Sequence, residues 1–383
     1  MKKMKHWMLC MAAASLSAAL FAAGCSEEND NGREPGGEEG GEKELAISMT
    51  GQAPWYETNP EGRRGDFSVS TEAHRLEFFG WSEEEDERFT VSFPESTEGY
   101  RRAILTYRMG GWNEGPSEWD HTTMVFVRNK ADGEWYELAR AFTPYGGGFG
   151  SDWEKIFYMD VTEYLPMLTG ETEFRLYYGG FDATDRRAHT VTLGFDLYEG
   201  TPERRTIYTA KVYDSSRNET SYRAWAYGFA AAPIEAAERL GERTFDIPAG
   251  VKSLEMKVSI SGHGHDQGTF PDRVNYITKN AAEFDENTYE IVLNGQVQPF
   301  TGHIFYDNSD NYWQTGTYLY DRANWAPGNP LNVHYWLIYN LPDKGGRLTL
   351  DLNLERFESI YTEANDGQAR YIVEVDLFGF DEF

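Results

Sequence analysis

Asp120 follows Trp119 just ahead of one apolar strand pattern, and Glu283 precedes Phe284 just ahead of another. A carboxylate beside an aromatic ring at a strand mouth is partly desolvated, which raises its pKa and suits it to proton transfer. The plainer alternatives are that Asp120 caps a turn and that Glu283 is a solvated loop residue. Arg322 stands in the loop Y-D-R-A-N-W-A-P-G (320–328), where its planar donor fork can pin a carboxylate or a substrate carbonyl. Trp325 of the same loop either stacks on a sugar or plugs the loop. Farther back, I-S-G-H-G-H (260–265) puts His263 and His265 two apart on an extended chain, where Asp266 or Asp272 could add oxygen to a metal. A lone H-x-H without a third spaced His or Cys is a weak metal signal, so neither metal nor other cofactor is expected.

The elements that must carry these groups are strands. Around Asp120 the chain reads as a hairpin, 123–128 and 134–142, joined by N-K-A-D-G, whose Asp132-Gly133 supplies the φ > 0 position of a tight turn. Period-two alternation recurs along 101–109, along Phe174, Leu176 and Tyr178, and along Val191, Leu193, Phe195 and Leu197. A single helical turn is expected at 160–165, capped by Thr162. F-D-L-Y-E-G-T-P (195–202) closes this half, so a domain boundary is placed near Gly200. The second half repeats the class: Leu254, Met256, Val258 and Ile260 alternate with Glu255, Lys257 and Ser259. Asn294-Gly295 marks a second tight hairpin, Leu348 to Leu354 and Val373 to Leu377 alternate again, and only 233–240 looks helical. Short strands with regular turns predict an all-β protein of two antiparallel β-sandwich domains, 45–200 and 201–383.

Composition narrows the partners. A length of 383 residues allows two domains with cores of their own. Net charge is −28, and removing residues 1–24 takes away Lys2, Lys3 and Lys5 but no acid, leaving −31. Such a balance argues against nucleic acid and anionic membrane surfaces as partners. An aromatic content of 15% points to flat, stacked ligands such as sugars or to large β cores. Residues 1–24 read as a signal peptide, with a basic start, an apolar run and Gly24-Cys25 at its end. A-A-G-C resembles a bacterial lipobox with Cys25 as the lipidated residue. Cys10 falls inside the signal, so no disulfide is expected within the mature chain. The acidic, Gly-rich segment 25–44 is expected to be a disordered tether, and acids directly after the lipid cysteine resemble a surface-export signal. The expected address is the bacterial envelope, lipid-anchored, on the outer membrane facing the cell surface or, if the acids after Cys25 are plain linker, facing the periplasm; a monomer is expected.

These motifs, in this order, resemble the peptide-N-glycosidase F family. The likeness rests on acid-Trp-Asp ahead of a strand, N-K-x-x-G-E-W-Y-E, T-P-Y, F-D-x-x-x-G-T-P, S-G-x-G-H, a glutamate followed by an aromatic, and D-R-A-x-W-x-P-G, and it spans roughly 65–383. The resemblance implies two jelly rolls packed side by side. It implies Asp120, Glu283 and Arg322 as catalytic, with Trp119, His121, His265 and Trp325 lining the substrate cleft. Departures are plain. Gly179 stands where the family has a third acid, although Asp182 or Asp185 lies in the same stretch. His121 replaces an arginine, His263 an aromatic, and Pro116, Ala281, Asp285 and Ala326 replace cysteines.

The activity so implied is hydrolysis of the amide joining an N-glycan to asparagine, in a glycopeptide or glycoprotein, leaving aspartate and a glycosylamine. Two other readings stay open: a catalytically silent glycan- or glycopeptide-binding protein on the same fold, and a glycosidase using Asp120 and Glu283 as its acid pair.

Overall fold

Alternating apolar residues bury one face of nearly every segment that the sequence marks as a strand. A computed structural model describes residues 45–52, 55–62, 68–71, 74–79, 85–179, 186–216, 240–264, 283–284, 286–355 and 370–382. The signal and tether, Cys25 among them, the expected helix at 233–240 apart from Leu240, and His265, Asp266, Asp272, Ala281, Asp285, Asp182 and Asp185 lie outside the described residues.

The strands in chain order are β1 (Ala46–Gln52), β2 (Trp55–Tyr56), β3 (Ser68–Ser70), β4 (His74–Phe79), β5 (Glu85–Ser92), β6 (Tyr100–Trp112), β7 (Thr122–Arg128), β8 (Trp135–Phe142), β9 (Glu154–Asp160) and β10 (Glu171–Tyr178). They continue with β11 (Ala188–Glu199), β12 (Thr206–Tyr213), β13 (Arg243–Ile247), β14 (Ser253–His263), β15 (Asn287–Leu293), β16 (Gln296–Ile304), β17 (His334–Tyr339), β18 (Gly346–Leu354) and β19 (Arg370–Phe380). All pairings are antiparallel. Sheets β5-β10-β7-β8 and β2-β9-β6-β11-β3, with β4 beside β11, enclose one core. Leu105, Val125, Phe174, Leu193 and Phe195 are among its buried residues. Sheets β1-β17-β14-β19-β12 and β13-β18-β15-β16 enclose the second, around Met256, Ile291, Trp336, Leu350 and Val375. The two-sandwich architecture expected from the alternation is thus present.

Two local expectations are corrected. Residues 46–52, assigned to the first sandwich by position, form β1, an edge strand of the second, paired to β17. The turn at 162–167 is a 3-10 helix (Thr162–Met167) in which Thr162 is a member and not the cap. Asp160 Oδ1 accepts from the Thr162 amide at 3.1 Å, because the carboxylate two residues back reaches that orphan donor.

Both predicted hairpin turns form. Gly133 has φ 74°, and Asn294 and Gly295 have φ 49° and 74°. Asn129 Oδ1 also accepts from the Ala131 amide at 3.0 Å, tightening the first turn from its side chain.

Between the sandwiches lies a polar layer. Glu255, Lys257 and Ser259, on the opposite face of β14 from its core residues, are buried rather than solvated. Arg140 of β8 pairs with Glu137 at 2.6 Å and donates to Ser261 Oγ at 2.7 Å and the Ile372 carbonyl at 3.0 Å. Lys257 donates to the Glu137 and Leu138 carbonyls, both at 3.1 Å, and Lys211 pairs with Glu374 and Asp376. Met124, Phe126 and Tyr177 pack on Ile372 beside this layer. Buried charges survive only where paired and hydrogen-bonded, so this layer dictates how the two sheets meet. The residues Lys43–Phe383 accordingly form one compact unit.

Candidate active site

Asp120 sits on the short approach to β7, and its backbone is fixed by the residues around it. The Ser117 amide donates to His189 Nε2 at 3.1 Å, and the His121 amide donates to Thr143 Oγ1 at 2.7 Å. His121 Nδ1 is 2.9 Å from the Gly179 carbonyl, which can only accept, so Nδ1 carries the proton and Nε2 accepts from Ser117 Oγ at 2.9 Å. Gly146 donates to the Ser117 carbonyl at 2.8 Å. A Cβ on Gly146 would come within 2.4 Å of the Pro116 and Ser117 carbonyls, so only glycine admits this close crossing.

Arg322 comes from the other sandwich, in the long connection between β16 and β17. That connection has little regular structure, and asparagine side chains replace the missing backbone partners. Asn308 Nδ2 donates to the Tyr320 and Trp325 carbonyls, and Asn324 Nδ2 to those of Ile260 and Asn332. Asn324 itself has φ 72°, a conformation asparagine tolerates better than most residues. The loop is tied to the first sandwich through the Phe142 amide to the Asn329 carbonyl at 3.0 Å and the Leu331 amide to the Arg140 carbonyl at 2.9 Å. A charged group from one sandwich is thereby delivered to the mouth of the other.

The guanidinium of Arg322 organises the site. It is fully buried, with its central carbon 4.4 Å from the ring centre of Trp325 and 4.8 Å from that of Phe284. Nη1 pairs with Glu283 Oε1. Nη2 donates to Tyr145 Oη at 2.9 Å and Thr317 Oγ1 at 3.1 Å, and stands 3.6 Å from Asp120 Oδ2. Glu283 Oε2 also accepts from the Gly264 amide at 3.1 Å. Both carboxylates therefore address one cation. Glu283 is engaged by it, whereas Asp120 Oδ2 accepts no hydrogen bond from any described residue.

The surroundings of Asp120 shift its titration. Burial pushes the Asp120 carboxyl up to about 6; Arg322 draws it back, and the Glu283 charge adds to the rise. Burial alone would weaken the charge on Arg322, but Tyr145, Glu283 and Asp120 together hold its pKa above the ordinary value. The result is a nearly dry carboxylate titrating near pH 6, with a buried oxygen that accepts no hydrogen bond from any described residue, beside a permanent cation. That arrangement can accept a proton from water and return it to a leaving nitrogen.

Asp120, Glu283 and Arg322, separated in sequence, are brought together. Trp119 lies at the rim, 45% exposed, its ring 6.3 Å from that of Tyr145. His121, expected among the substrate contacts, is instead buried in the wall with both ring nitrogens engaged. Trp325 is likewise internal: it stacks on Phe142 at 4.4 Å and on His263 at 5.5 Å, and donates from Nε1 to the Gly262 carbonyl at 2.8 Å. Its ring backs Arg322 and plugs the loop. His263 bonds Ser261 Oγ at 2.7 Å, inside the same packing. Two participants carry no assignment from sequence reasoning, Tyr145 and Thr317. Tyr145 ends the T-P-Y that follows the hairpin, whereas nothing local singles out Thr317.

No family model matches the chain. Over 254 residues it is 30% identical to the peptide-N(4)-(N-acetyl-β-D-glucosaminyl)asparagine amidase F of Elizabethkingia miricola, a match covering 62% of this chain and 64% of that protein. The match thus spans a little under two thirds of the relative's length. Among solved structures, a peptide-N(4)-(N-acetyl-β-D-glucosaminyl)asparagine amidase superposes with a TM-score of 0.64 at 22% identity, over 82% of this chain and 96% of that one. PNGase F, a glycosylasparaginase from Flavobacterium meningosepticum, gives a TM-score of 0.63 at 22% identity and the same shares. PNGF-II gives 0.55 at 15% identity, over 88% of this chain and 65% of that one. In sequence and in fold, the chain is peptide-N-glycosidase F-like.

Proposed function

We propose that this protein hydrolyses the β-amide linking an N-glycan to asparagine in glycopeptides or glycoproteins. The observation that carries the reading is the meeting of Asp120 and Glu283 on the two arms of the buried Arg322, in a chain 30% identical to an amidase of this specificity. Asp120, ionised above pH about 6, takes a proton from water as the water oxygen attacks the amide carbon. Collapse of the tetrahedral adduct breaks the C–N bond, and the same proton passes to the departing nitrogen. The products are aspartate and a glycosylamine. Glu283 is held by Arg322 and the Gly264 amide, so its role is to fix the cation and, with it, the charge seen by Asp120. No step calls for a metal, and turnover is expected to persist in excess chelator.

The test is mass spectrometry of a denatured N-glycopeptide after incubation. Release of the whole glycan with conversion of asparagine to aspartate supports the amidase. A residual N-acetylglucosamine would indicate a glycosidase, and an unaltered glycopeptide a binding protein.

The binding-only reading draws on Gly179. A Cβ there would meet only ordinary contacts, 3.4 Å from the Tyr177 hydroxyl, so an acid is absent where the fold could carry one. Gly179→Glu is expected to fold, and to raise turnover or shift its pH optimum if the rest of the cleft is competent. The lipid anchor at Cys25 and a surface address belong to the same proposal. Cys25→Ala should release the protein from the membrane fraction, and retention after a high-salt wash would count against it.

A further inference from the structure

Trp313 is the most exposed large hydrophobic residue among the described ones, at 62%, yet its surroundings are ordered. Its six-membered ring lies against Gly148: a Cβ on that glycine would come within 2.5 Å of Cη2 and Cζ3. Phe149 meets it edge-on at 6.2 Å and 82°. The residues on either side are pinned. The Tyr312 ring lies under the ammonium of Lys155 at 4.0 Å. Gln314, fully buried, accepts from the Tyr145 amide at 2.9 Å and donates to the Pro327 carbonyl at 2.8 Å. One face of a large apolar ring is thus held against a glycine on a fixed backbone, and the ring is left in water. Burying an exposed indole is favourable, and a fixed one loses little entropy when a ligand covers it.

The position links this ring to the catalytic groups. Four residues after Trp313, Thr317 bonds both Arg322 and Tyr145. Gly148 lies three residues after Tyr145, and the Trp119 ring lies 6.3 Å from that of Tyr145. Two exposed indoles therefore touch the segment 145–148, Trp119 at Tyr145 and Trp313 at Gly148.

We propose that Trp313 is a stacking platform for a neutral pyranose ring of the glycan, one removed from the sugar bonded to asparagine. This rests on the amidase reading for the direction of the chain but not for the stacking itself. A pyranose with equatorial substituents has an apolar C–H face that matches a flat indole. A net charge of −28 disfavours acidic sugars at the same place.

The experiment is calorimetric titration of the free N-glycan core oligosaccharide, N-acetylglucosamine pair plus mannoses, into the wild type, Trp313→Ala and Trp313→Phe. An aglycosyl peptide and single N-acetylglucosamine serve as controls. Trp313→Ala should weaken the oligosaccharide about five- to tenfold, with Trp313→Phe in between and the single sugar unaffected. Unchanged oligosaccharide affinity in Trp313→Ala, or no measurable binding by the wild type, overturns the platform. An equal loss for the aglycosyl peptide reassigns the ring to peptide binding and overturns it too. Failure of the amidase reading shows separately, as Trp313-dependent binding without conversion of asparagine to aspartate.

Discussion

Asp120 Oδ2 and Arg322 Nη2 stand 3.6 Å apart, beyond a hydrogen bond but close enough for each charge to set the other's titration. They come from different sandwiches, so their spacing depends on how the two halves pack. Asp120 Oδ2 is buried and accepts no hydrogen bond from any described residue, whereas Glu283 is already committed to the cation.

Removing the titrating group while keeping its shape tests this division. Asp120→Asn should lower kcat on an N-glycopeptide by at least about 10²-fold, the low end for general acid–base catalysis. Glu283→Gln should lower it less. The double variant should be little worse than Asp120→Asn alone, because groups acting as a unit lose most of their benefit at the first deletion. Unchanged turnover in Asp120→Asn would remove the proposed site.

The pH profile should carry the same signature. Asp120 is protonated below about 6 and ionised above it, and only the ionised form can take a proton from water. On the acid side kcat/KM should therefore fall about tenfold per pH unit below about 6. Glu283→Gln removes a negative charge that raises the Asp120 pKa, so the acid limb should move to lower pH. Movement upward would contradict the electrostatic coupling.

Trp325 separates packing from recognition. Because it is buried against Phe142, His263 and Arg322, Trp325→Ala should destabilise the fold by about 3–5 kcal/mol, read as a lower Tm. Trp119→Ala, at the exposed rim, should leave Tm nearly unchanged and raise KM. The reverse pattern would return Trp325 to the substrate surface.

Glu163 predicts how stability depends on pH. Burial pushes its carboxyl from 4.5 up to about 7, opposed by Lys257 and assisted by Asp160 and Glu255. Between those values the folded protein holds a proton that the unfolded chain releases. Stability is then fully present below pH about 4.5 and is lost as pH rises toward about 7, by about 1.4 kcal/mol per unit. Glu163→Gln, which mimics the neutral form, should raise Tm relative to the wild type at pH 8, and the gain should vanish near pH 4.5. A gain that is the same at both values would show that ionisation of Glu163 is not the cause.

What the sequence alone determined is what a few neighbouring residues can determine. Period-two alternation placed the core faces of β10, β11, β14 and β18, and Asp132-Gly133 and Asn294-Gly295 fixed two hairpins through the φ > 0 positions they allow. Asp120, Glu283 and Arg322 were legible because acid beside ring and a donor fork in a loop are local signals, strengthened by the family resemblance. Only the tertiary structure decided what the other faces meet. Glu255, Lys257 and Ser259 alternate as a solvated face does, yet they are buried because β14 packs against the other sandwich. By the same rule β1 crossed to the second sandwich, His121 and Trp325 turned inward, and Tyr145 and Thr317 joined the site. Each of these outcomes rests on partners far away along the chain, such as Thr143 for His121, Phe142 for Trp325 and Arg322 for Tyr145. A local pattern states that a residue has an apolar or polar face, and the packing of distant strands states which surface that face meets.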